Sequence, residues 1–105
     1  MTKVEFFSAD NLITGYKITG HSTDGADDLN GKIVCSAVSS AAYMTANTLS
    51  EILGAQIDST VSESLMKITV ISKLPESQTV LSGLKLHLVE LSKDFPKNIT
   101  IISEV

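Results

Sequence analysis

The hydrophobic period of this chain changes twice, and that alternation constrains its fold more than any other feature. Residues 3–7 alternate polar and apolar, and residues 13–19 are rich in β-formers and stop at Gly20. From Ile33 the period lengthens. Val34, Val38, Ala41, Thr45, Leu49, Ile52 and Leu53 recur at threes and fours, as one face of an amphipathic helix requires. Gly54 stands where a C-terminal helix glycine belongs. The pattern then returns to strands at residues 56–59 and 65–71. A second helical stripe follows in Val80, Leu81, Leu84, Leu88, Leu91 and Phe95, opened by Pro75 and closed by Pro96. Asn98 to Ile102 reads as a last strand. Asp10-Asn11 supplies the turn of an opening hairpin, because both residues tolerate left-handed backbone. The order is β-β-α-β-β-α-β, and its natural solution is an α+β fold: a mixed or antiparallel sheet with two helices on one face.

The chain has 105 residues and no linker or repeat divides it, so a single domain over 1–105 is expected. With 43% hydrophobic residues it can build a core without staples. Eight lysines, no arginine and twelve acidic residues give a net charge of −4, which disfavours nucleic-acid binding through phosphates. No apolar run reaches the ~20 residues needed to cross a bilayer, and no secretory leader is evident, so neither a membrane partner nor export is expected. The single cysteine, Cys35, fits a reducing cytoplasm.

Chemistry concentrates in one stretch. Gly20-His21 ends a strand, residues 22–31 form an acidic loop punctuated by glycine, and Gly31-Lys32-Ile33-Val34-Cys35-Ser36-Ala37-Val38-Ser39 enters the first helix. A closed loop would bring the His21 imidazole beside the Cys35 thiol. An imidazolium or a helix N-terminus lowers a thiol pKa from ~8.5 to roughly 3.5–7.5, creating a nucleophile at neutral pH. If the helix begins near Ile33, its unpaired first-turn amides stand ready to hold an oxyanion, and Gly31 permits close backbone approach. A small buried cysteine between Val34 and Val38 is the ordinary alternative for such a residue.

Other constellations fail. The acidic loop lacks carboxylates at Ala26 and Ala37, the first and twelfth positions of a calcium loop, and one Cys with two distant His does not make a zinc site. No cofactor or metal is expected. His87, at helical spacing between Leu84 and Leu91, is expected to border the core, and Tyr43 and Met44 to pack.

Gly20-His21, the Asp/Gly-rich loop and Ile33-Val34-Cys35-Ser36-Ala37-Val38-Ser39 together resemble the ribosomal-processing cysteine protease family, Prp. The likeness extends over essentially the whole chain. It implies a cytoplasmic, homodimeric cysteine endopeptidase that removes the N-terminal extension of large-subunit ribosomal protein twenty-seven after a hydrophobic, typically Phe-ending sequence. By position it implies Cys35 as nucleophile and His21 as general base. Ser39 matches the family serine one turn beyond the nucleophile, with Ser36, Gly31 and Gly20 in support. The family carries Asp where this chain has Lys32, so Asp27 and Asp28 become the candidate orienting carboxylates. The residues themselves leave a second reading open: a non-catalytic, dimeric, ribosome-associated module that binds a peptide along a strand edge or groove.

Overall fold

The computed structural model describes residues 1–20 and 28–103. Strands β1 (Thr2–Ala9) and β2 (Leu12–Thr19) form the opening hairpin. Asp10 and Asn11 both carry positive φ, 53° and 66°, the pair of left-handed residues that a two-residue hairpin of matching twist requires. Helix α1 (Leu29–Asn47) continues into a π-helical turn, Thr48–Ile52. Strands β3 (Ile57–Ser62) and β4 (Leu65–Val70) make a second hairpin, followed by helix α2 (Leu74–Asp94) and strand β5 (Ile99–Ser103).

The sheet order is β3-β4-β2-β1-β5. Every neighbouring pair is antiparallel except β1 and β5, which run parallel. This is the mixed sheet read from the sequence. Register puts Val4, Phe6, Tyr16, Met66, Ile68 and Ile99 on one face, where they form the core with Val34, Val38 and Ala42 of α1 and Leu81, Leu84 and Leu88 of α2. The opposite face carries Lys3, Glu5, Lys17 and Lys67; there a Lys3–Glu5 ion pair of 3.7 Å and the Lys67 ammonium over the Phe7 ring hold side chains in place. Side-chain hydrogen bonds tie each helix to the sheet. The buried Tyr16 hydroxyl donates to the Ala42 carbonyl at 2.9 Å, and burial pushes its phenol well above the ordinary value, so it remains a donor. On the other helix, the Gln78 side-chain amide bonds both the N–H and the C=O of Ile13, each at 2.8 Å.

Strand β3 runs on to Ser62 rather than stopping at residue 59, and both ends of the first helix differ from the sequence reading. The stretch assigned to a loop through Gly31 is already helical at Leu29, because Asp28 caps the helix by accepting from the Gly31 N–H at 3.0 Å. The first helix leaves α geometry after Asn47. Around that point the Thr45, Thr48 and Ser50 hydroxyls bond the carbonyls of Ala41, Met44 and Ala46, four residues back. Among the described residues no helix is long and apolar enough to cross a membrane.

Candidate active site

Cys35 is half-buried on α1 and lines a cleft of about 210 Å³ between that helix and the β3–β4 hairpin. Three features of the sequence build it. Cys35, Ser39 and Tyr43 are spaced by four and so share the flank of α1 that faces away from α2. Val38 and Ala42, one step round the helix, supply an apolar inner wall, and Met66 and Ile18 of the sheet reach the same space. Val61, at the far end of edge strand β3, forms the opposite side and is 51% exposed.

Gly20 lines the cleft as well, and only glycine serves there. Its φ is +85°, its N–H donates to the Ser64 carbonyl at 3.1 Å, and a Cβ would stand 2.5 Å from the Met1 carbonyl oxygen. His21 is the next residue in sequence; both it and Asp27 lie outside the described residues. The cleft therefore contains, among the sequence-predicted residues, Cys35, Ser39 and Gly20.

The rest are placed elsewhere. Ser36 is exposed and outside the cleft lining. Gly31 is buried and Asp28 is engaged in capping the helix, one carboxylate oxygen taking the Gly31 amide. The expectation that Cys35 sits beside first-turn amides is corrected. Cys35 is about 9 Å along the axis from Leu29 at 1.5 Å per residue, whereas the unpaired amides and the helix-terminus field are confined to the first turn. His87 is exposed rather than bordering the core, and lies beside a separate groove between α1 and α2 of about 560 Å³ with Ala37, Ser40 and Met44. Tyr43 and Met44, expected to pack, are 48% and 56% exposed. Sequence reasoning missed the hairpin residues Val61, Ser62, Ser64 and Met66 on the cleft. Their distance in sequence from Cys35 gave no signal.

What the arrangement offers is a thiol at the mouth of an apolar trough, with hydroxyls on the same flank and an open side over β3.

Comparison with solved structures gives close likeness of fold at low identity. The ribosomal processing protease Prp from S. aureus, in complex with a covalently linked product peptide, superposes with a TM-score of 0.86 at 19% identity, covering 98% of this chain and 99% of that one. The same protease with a substrate peptide gives 0.86 at 17% identity, over 98% and 99%. SMU.848 from Streptococcus mutans gives 0.84 at 19% identity, over 99% of this chain and 94% of that one. A search of curated proteins returns no match. The family model described as cysteine protease Prp, in contrast, matches residues 1–100. With nearly its full length accounted for in this way, the chain belongs to the cysteine protease Prp family.

Proposed function

We propose that the protein is a cysteine endopeptidase of ribosome maturation that removes the N-terminal extension of large-subunit ribosomal protein twenty-seven. It acts in the cytoplasm as a homodimer of single-domain subunits. The observation that carries the reading is the cleft itself: Cys35 and Gly20, the residue that precedes His21, line one apolar trough in a chain matched to the family over residues 1–100. The similar S. aureus protein is a ribosomal processing protease that has been seen with both substrate and covalently linked product peptides.

In the proposed route His21 takes the Cys35 proton and the thiolate attacks the scissile carbonyl. The C–N bond breaks as His21 returns that proton to the departing amine, leaving a thioester on Cys35. Water, deprotonated by His21, then attacks the thioester and restores the thiol with release of the carboxylic acid. Ser39 stands one turn beyond the sulfur on the same flank, where its hydroxyl is available to the bound peptide.

Purified protein should cleave a peptide carrying the ribosomal extension at its hydrophobic end. Cys35→Ala and His21→Ala should each lower the rate by at least about 10³-fold, the scale seen when a nucleophile or its base is removed, with unchanged melting curves. A Cys35→Ala variant that cuts as fast as the parent would sink the assignment. Binding of the peptide without any cleavage by the parent would favour the non-catalytic module instead.

A further inference from the structure

Glycine stands in the middle of α2 without a reason in the fold. Gly83 is exposed, its backbone is helical, and a Cβ added there would meet nothing within 4 Å. In a helix interior glycine is about 1 kcal/mol less favourable than alanine, so the position keeps open space at a cost in stability. That space belongs to the second groove, of about 560 Å³, between α1 and α2. The groove opens away from the sheet, since Ser40, Met44, Gly83 and His87 on its walls are all exposed. Ala37, Ser40 and Ala41 keep the α1 wall low, while Met44 and Val80 make it apolar. Leu86, three residues beyond Gly83 and 64% exposed, extends the apolar surface along the α2 rim.

One end of this groove is acidic. The Lys73 ammonium donates to the Leu53 carbonyl at 3.0 Å, which holds the chain after α1 beside the start of α2. Glu51 of the π-helical turn and Glu76 of α2 stand exposed at that end, Glu76 four residues before Val80 and so in line with the groove. Among the described residues neither carboxylate has an ion-pair partner. The chain as a whole carries a net charge of −4. An apolar groove with an acidic end, on an acidic protein, complements a segment that is apolar and basic. Proteins that work against RNA phosphates carry basic surface, and the substrate proposed above is a ribosomal protein.

We infer that the groove between α1 and α2 is an exosite for the substrate protein, taking a basic, apolar segment that lies outside the extension being removed. This rests on the protease reading. The groove is separate from the Cys35 cleft, with α1 between them. A helix with its side chains is about 10–12 Å across, an interval that three to four extended residues span. One precursor can therefore occupy both places. Gly83 lets the backbone of the bound segment come close. Holding a second segment raises the effective concentration of the scissile bond at Cys35 and leaves the chemical step alone, so the exosite acts on KM.

Two substrates separate the exosite from the cleft: the full-length ribosomal precursor, and a short peptide that spans only the extension and the cut. Gly83→Leu fills the groove, and a double variant, Glu51→Lys with Glu76→Lys, reverses its acidic end. Gly83→Leu puts a better helix former over open space, so it should melt no lower than the parent. It should raise KM for the precursor about 10-fold, the scale of one lost apolar contact, at unchanged kcat and with the short peptide cut as by the parent. The double variant should raise KM for the precursor about 3-fold at low salt, and the difference should vanish near ~1 M salt, where exposed charges are screened. Equal effects on both substrates, or none on either, overturn the exosite and leave the protease reading standing. Sedimentation in which Gly83→Leu splits a dimer assigns the groove to a second copy and also overturns the exosite. A parent that cuts neither substrate overturns the protease reading, and the exosite falls with it.

Discussion

The two helices lie side by side on the same sheet face and solve opposite problems. Helix α2 buries Leu81, Leu84 and Leu88 and fixes its angle on β2 through the paired Gln78–Ile13 hydrogen bonds. Helix α1 buries Val34, Val38, Ala42 and Ala46, smaller groups that add less area apiece and leave one flank uncovered. Large side chains gain more from burial, at about 25 cal/mol per Å² of apolar surface. The contrast teaches that the two helices divide the layer between them: α2 holds the sheet, which frees α1 to leave the flank that carries Cys35 uncovered.

Substitutions can break or sharpen that division. Leu88 is fully buried, so Leu88→Ala should cost about 2–5 kcal/mol of stability while kcat of the folded fraction stays at the parent's value. Chemical denaturation would measure it, and a loss below ~1 kcal/mol would deny α2 its anchoring role. Gly20→Ala forces a side chain into left-handed backbone against the Met1 carbonyl, so a loss of about 1–3 kcal/mol is expected, together with a fall in kcat/KM because the clash is at the cleft. If only stability changed, the shape of the cleft at Gly20 would not matter to peptide binding. Asp28→Ala removes the α1 cap and should cost about 1 kcal/mol, with faster exchange of the Gly31 amide and little change in cleavage rate, because Cys35 lies beyond the first turn. A large drop in cleavage would mean the start of α1 is coupled to the thiol after all.

Much of the fold was legible because its elements carry clean periodicity. The Leu stripe of α2 between Pro75 and Pro96, and the Asp10-Asn11 turn, each have one plausible structural meaning. The start of α1 was misread for a physical reason: Asn30 and Gly31 are poor helix formers, and their cost conceals a helix that Asp28 nevertheless caps. That shift of four residues carries Cys35 from the first turn into the second and removes the amide argument built on it. Of the side contributed by α1, the Cys35–Ser39 spacing marked two residues on one flank, and Tyr43, expected to pack, was not among them. The side contributed by Val61 and Met66 was not visible, since strand register is decided by pairing partners far away in sequence. Tyr43 and Met44 are exposed: residue type, which favours their packing, says nothing of where a neighbouring layer ends.

The parallel ladder between β1 and β5 joins residues 2–6 to residues 99–103. Such a distant pairing closes the longest loop among the described strand pairs, and its entropic cost falls late in folding. On a translating ribosome, β1 must therefore wait with a bare edge until the chain has been made through residue 103 and has cleared the exit tunnel. A nascent chain arrested before that point would hold its thiol on a sheet one strand short, with the backbone groups along that side of β1 unpaired.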